Sequence, residues 1–266
     1  MKKLTFIALL AFALSLLTVS VAFALPQLPD NQGIVKAKGV SPVIDDQGQV
    51  VPQPPESQLT KVVFIRHATG FYGQCDEDSV CEAKENWKSC PSDCQKGGGG
   101  EEPPAPTCYG FLSGAKPHWN WVESYAVDNT ALIASAASAV STWDAVTSAT
   151  IFGSRVSGAG TWGVYDQKNS ILFGTYSEPD VIAVTAIWYQ GKNIYEYDIL
   201  FDTEYFPGDG SIDLNSVVLH EFGHGAGLDD LYDSVCSTEV MYGYYHDVDL
   251  DLGSGDTTGI RTLYGN

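Results

Sequence analysis

Residues 108–266 read as an α+β domain, and three observations carry that prediction. An alanine-rich stretch from Asn129 to Ser148 sets Leu132, Ile133, Ala136, Ala139, Val140, Trp143 and Val146 at helical spacing. Short runs rich in β-branched and aromatic residues follow it. A second helical pattern then appears, with Ile212, Leu214, Val217, Val218 and Leu219 on its apolar face.

Taken in order, Trp119, Trp121 and Val122 predict a first strand. The alanine-rich helix starts after Asp128 and Asn129, whose short polar side chains cap exposed backbone N–H groups. Ile151-Phe152, Thr161 to Tyr165, Ser170 to Thr175, Val181 to Tyr189 and Glu196 to Phe201 predict further strands. The second helix runs into His220-Glu221-Phe222-Gly223-His224, and Gly225 and Gly227 stop it, because glycine is poor inside a helix and suited to a left-handed end.

The pattern H-E-x-x-H sets two histidines four residues apart, on one helix face. His220 and His224 can then offer imidazole nitrogens to one zinc ion, with Glu221 placed as a general base beside it. A chain that turns back at Gly227 brings Asp230 as the third ligand, with Asp229 and His246 as rivals. The plain alternative is a core helix with two incidental histidines, but only five histidines exist in the chain.

These residues resemble the metzincin zinc proteases, which set a methionine turn beneath the metal. Besides the initiator, the chain has one methionine, Met241, in Glu239-Val240-Met241-Tyr242-Gly243-Tyr244-Tyr245. Within that group the chain resembles the matrixins, the matrix metalloproteinase type. Ala139 to Thr147 is similar to their first helix, and Asp256 to Gly265 to their closing helix. Matrixins carry a third histidine where this chain has Asp230, and an aspartate there resembles the small bacterial snapalysins. The resemblance covers most of 108–266. It implies a twisted, mostly parallel sheet with an antiparallel edge strand, an N-terminal helix, an active-site helix, a Met-turn and a C-terminal helix.

The resemblance also implies that an edge strand, here Val181 to Trp188, pairs with an extended substrate. Tyr242 to Tyr245 would line the specificity pocket, with Tyr245 as its wall. Tyr197 to Glu204 resembles a calcium segment shortened by one residue, in which Asp198, Asp202 and Glu204 would bind Ca2+; a solvated acidic loop is the alternative. A second, structural zinc site is expected to be absent, since no histidine lies between 119 and 219.

Before the domain, Lys2 and Lys3 head a nearly unbroken apolar run from Leu4 to Val21, and Ala22-Phe23-Ala24 offers a small-residue cleavage site. Residues 1–24 therefore read as a secretory signal peptide, with an uncleaved anchor as the alternative. Residues 25–74 read as an extended pro-segment or tether containing one strand, Lys61 to Arg66, with His67 as a loop histidine just after it. Residues 75–94 form an acidic module with Cys75, Cys81, Cys90 and Cys94. Two local disulfides, a metal cluster and a matrixin-like cysteine switch compete there; the cluster lacks paired C-x-x-C spacing, and the switch lacks the family's surrounding motif. The acidic loop is also a calcium candidate. Residues 95–107, with Gly97 to Gly100 and then Glu101 to Pro106, form a linker. Once the module has used four of the six cysteines, Cys108 and Cys236 remain to pair.

The net charge of −19 excludes a nucleic-acid partner, because phosphates need a basic surface. The expectation is a secreted, monomeric, zinc-dependent endopeptidase acting on peptide or protein substrates, free of the membrane after signal cleavage. The rival classes are a non-proteolytic binding protein that keeps a zinc-stabilised metzincin fold, and a zinc hydrolase of non-peptide substrates.

Overall fold

The computed structural model describes residues 50–68, 107–206, 211–245 and 248–266. Its strands are β1 (Thr60–His67), β2 (Glu123–Val127), β3 (Phe152–Val156), β4 (Asn169–Gly174), β5 (Val181–Gln190) and β6 (Asn193–Asp202). Its α-helices are α1 (Thr130–Asp144), α2 (Leu214–Gly225) and α3 (Ser254–Tyr264). The strands form one sheet in the order β1-β5-β6-β4-β2-β3. β4 runs parallel to β2 and β6, and β2 runs parallel to β3. β5 is antiparallel to β6. The sheet is thus mostly parallel with an antiparallel strand toward one side, the architecture the resemblance implied.

β5 explains where the core lies. Every residue from Val181 to Trp188 is buried, so this strand is covered on both faces. On one face Ile182 and Ile187 join Val217, Val218 and Phe222 of α2 and Leu132 and Trp143 of α1. On the other, Val181 and Val184 pack with Leu200, Ile65, Leu172 and Trp162. The Trp143 indole N–H donates to the Leu219 carbonyl at 2.9 Å, joining α1 to α2.

The helix ends follow from side chains. The Asn129 carboxamide oxygen accepts from the N–H groups of Ala131 and Leu132 and starts α1. α1 stops at Asp144, short of Ser148, because the Asp144 carboxylate accepts from the N–H groups of Ile151 and Phe152 and folds the chain back. Asp213 caps α2 by accepting from the Ser216 N–H at 2.8 Å.

Three expectations about strands change. The strand expected from Trp119, Trp121 and Val122 starts instead at Glu123, and Trp119 is fixed by its indole N–H, which donates to the Gly225 carbonyl at 2.8 Å. Thr161 to Tyr165 is a turn, in which the Gly163 N–H goes to the Asp198 carboxylate rather than to a ladder. Val181 to Trp188 is not an open edge: β1 pairs with it, antiparallel, from Thr60 opposite Tyr189 to His67 opposite Val181. His67 accordingly closes β1 and is not a loop residue.

A disulfide joins Cys108 to Cys236, tying the segment ahead of β2 to the loop before Met241. Residues 1–24, Cys75, Cys81, Cys90, Cys94 and His246 lie outside the described residues.

Candidate metal centre

α2 sets His220 and His224 on one face, and both are buried. The helix ends at Gly225, and Gly227 follows with φ +103, a conformation that favours glycine. There is no room for a side chain there either, since a Cβ would run into the Pro117 carbonyl oxygen. The reversal brings Asp230 back over the histidines. His220 Nε2 lies 3.2 Å from Asp230 Oδ1, and His224 Nε2 lies 3.4 Å from the same oxygen. The two Nε2 atoms are 3.1 Å apart.

That triangle fits a zinc ion. Ligands about 2.0–2.1 Å from a tetrahedral centre stand roughly 3.3 Å from one another. The imidazoles are held in the right tautomer: Nδ1 of His220 donates to the Val240 carbonyl at 2.7 Å and Nδ1 of His224 to that of Leu228 at 3.0 Å. Both lone-pair nitrogens are therefore left facing Asp230. Asp230 Oδ1 is buried without a hydrogen-bond donor of its own, the signature of an oxygen waiting for a cation. Among the described residues, these three are the one such group of His, Cys, Asp or Glu ligand atoms lying close together.

The electrostatics follow. Burial, and then the charge of Arg66, pull His220 down to about 3, so it is neutral. Burial works against a charged His224 as well, but the carboxylates of Asp230 and Glu221 outweigh it and raise its pKa. Burial works against ionised Asp230 too, and both histidines overcome it and hold the carboxyl well below the usual carboxylate range.

Glu221 is buried beside the triad, and burial raises its pKa. The Thr185 hydroxyl on β5 donates to Oε2 of Glu221, while Oε1 has no partner. One carboxylate oxygen is thus fixed and the other left available.

Met241 sits beneath α2, packed where Gly223 leaves space for its sulfur. Asp256 of α3 holds this turn, accepting from the N–H groups of Val240 and Met241 at 2.7 Å and 3.1 Å. The Tyr245 hydroxyl accepts from the Asp213 N–H at 2.8 Å, which pins that ring at the start of α2. Asp229 is turned aside: its Oδ1 accepts from the Asp230 N–H, and its Cβ packs toward Gly110.

The calcium expectation gains no support from the side chains. Asp198 spends its oxygens on the N–H groups of Gly163 and Ser170, and Asp202 on those of Tyr176 and Glu204. Among the described residues, Asp198, Asp202 and Glu204 do not gather into a donor cluster. Lying four apart on one strand, Asp198 and Asp202 are separated along it by about 13 Å, too far to share one ion.

Thr185, Asp256, Phe64 and Arg66 were not singled out by the sequence. The Phe64 ring stacks on His224, with centroids 3.9 Å apart and planes 8° from parallel. Arg66 is buried, and its Nη1 lies 2.9 Å from His220 Nε2 and donates to the Tyr242 carbonyl at 2.9 Å. A strand beginning near residue 60 was legible, but its destination was not.

Compared with known families, residues 110–265 match the matrixin family, a span of more than half the chain. No match was found among curated proteins.

Proposed function

The chain belongs to the matrixin family of zinc-dependent peptidases, and from that premise we propose that it is a secreted endopeptidase in which Glu221 is the general base. His220, His224 and Asp230 would hold the zinc. When bound, that ion would polarise the scissile carbonyl and make a water molecule acidic enough to give up a proton near neutral pH. The rest falls to the chain's own groups. Glu221 Oε1 takes the proton from the water and passes it to the departing amine, while Thr185 keeps Oε2 in place. Met241, held by Asp256, floors the site and fixes α2 from below.

The observation that carries this reading is the pairing of a cation-shaped triad with one buried, unpartnered carboxylate oxygen on the neighbouring residue. A binding protein on this scaffold would have no use for a base, and the presence of Glu221 supports the catalytic reading. The secretory part of the reading is supported by the basic head, apolar run and small-residue site of residues 1–24.

The deciding experiment compares the zinc-loaded chain with its Glu221→Ala variant on a mixed peptide library. Hydrolysis should fall by about 10² to 10⁴ while bound zinc is unchanged. Retained hydrolysis in the variant would overturn the role given to Glu221. Absence of hydrolysis by a zinc-loaded chain in which Arg66→Ala loosens β1 from β5 would overturn the endopeptidase reading.

A further inference from the structure

β1 behaves as an extended peptide seated in a groove. It pairs with β5 along its whole length in the antiparallel sense. At its end His67 bridges Tyr244 in the parallel sense, so the segment passes between β5 and the stretch after Met241. Main-chain pairing supplies the hold, and side-chain pockets supply the selection.

The side chains alternate across this strand. Ile65 goes to the far face, with Val181, Val184 and Leu200. Phe64 and Arg66 go to the helix face, the first onto His224 and the second onto His220. The backbone between 64 and 66 therefore crosses the pair of zinc-ligand histidines. Arg66 fills the pocket beside His220: it donates to the Tyr242 carbonyl, and its guanidinium carbon is 6.0 Å from the centre of the Tyr245 ring.

A buried guanidinium is costly unless its surroundings are built for it. Here the Tyr242 carbonyl accepts from it at 2.9 Å, and the Tyr245 ring lies beside its charge. The net charge of −19 draws basic peptides toward the whole molecule.

We propose that the pocket formed by His220, Tyr242 and Tyr245 selects arginine, or lysine in its place, in the substrate, and that β1 is an internal peptide displaying this preference. The inference rests on the endopeptidase reading above. The bond cut is one of the two preceding the basic residue, since those lie between the histidine contacts. Its C–N bond breaks, the acyl carbon takes the hydroxyl of water, and the amine takes the proton.

The test uses the full chain with Arg66→Ala, which empties the pocket and weakens the hold of β1 so that added peptides can displace it from β5, or with Arg66→Thr, which suits a strand, should the alanine variant not fold. With zinc added, a mixed peptide library should be cut before arginine or lysine at least about tenfold more often than before leucine. A preference for apolar residues there would overturn the assignment. Binding decides separately from catalysis. With Glu221→Gln added to the same chain, a synthetic peptide of residues 60–67 should bind at least about tenfold more tightly than the same peptide carrying Arg66→Leu, as read by fluorescence anisotropy. Equal binding would overturn the pocket. If the arginine peptide is preferred yet nothing is hydrolysed, the endopeptidase reading fails and the pocket stands.

Discussion

The Thr185 hydroxyl donates to Oε2 of Glu221, across the packed interface between β5 and α2. This contact fixes which oxygen of the carboxylate stays free. In Thr185→Val, of similar volume, Oε2 is released as well, and kcat should fall by about tenfold, roughly the worth of one hydrogen bond to a charged group. Zinc content should not change, and Thr185→Ser should recover most of the rate. A Thr185→Val enzyme with normal kcat would show that the hydroxyl does not position the base.

Asp230 is the ligand that departs from the third histidine of matrixins. Asp230→Ala should strip most of the zinc, measured by atomic absorption after dialysis, because two histidines alone hold the ion poorly. Asp229→Ala should keep the metal, since Asp229 is turned toward Gly110. Asp230→His should keep zinc and move the activity optimum toward lower pH, because a carboxylate brings negative charge that makes the bound water less acidic. Full zinc in Asp230→Ala would show that another group closes the site.

Much of this site was legible because it depends on short, fixed spacings. His220 and His224 share a face by helical geometry, and Gly227 and Asp230 follow within one reversal. Met241 could be found because methionine is so rare in the chain. What could not be read depends on distant packing. Arg66 meets His220 across 154 residues of sequence, and no local pattern encodes that. Trp119 and Trp121 have the composition of a strand, yet the strand starts only at Glu123, and the Trp119 indole is anchored to the Gly225 carbonyl instead. The acidic run from Asp198 to Glu204 looked like a calcium segment, while its oxygens serve the backbone of neighbouring turns.

Glu123 makes stability depend on pH. Burial pushes its pKa from an ordinary 4.5 up to about 8, against hydrogen bonds from Asn169 and Tyr197 that pull the other way. Between those values the folded chain holds a proton that the unfolded chain has released, so stability falls as pH rises through that window. Glu196, raised to about 9 mainly by burial, has the same sign. Glu123→Gln can face its amide oxygen to Asn169 and its amide nitrogen to the Tyr197 hydroxyl. Urea melts should then show a shallower decline from pH 5 to 8, with a gain on the order of a few kcal/mol at pH 8. An unchanged slope would mean that Glu123 stays ionised in the fold.

Gly223, inside the H-E-x-x-H segment, is required for close approach. A Cβ there would fall onto the Met241 sulfur and lie 2.8 Å from Trp143 Cζ2. Gly223→Ala should cost about 1–3 kcal/mol of stability through overpacking, despite alanine's better helix propensity. Thermal melts of the zinc-free chain would read this loss apart from any effect on metal binding. A melting temperature equal to the parent's would show that Met241 can move aside.

The antiparallel pairing of β1 with β5 also bears on solubility. Without residues 60–67, β5 would present a row of unpaired N–H and C=O groups along an edge up to ten residues long, in a strand whose residues are almost wholly apolar. Such an edge is a template for strands of other molecules. Nothing in Val181-Ile182-Ala183-Val184-Thr185-Ala186-Ile187-Trp188 interrupts it, since it contains no proline, no glycine and no charge. A chain trimmed to residues 108–266 should therefore dimerise or precipitate through this edge at concentrations where the longer chain stays dispersed.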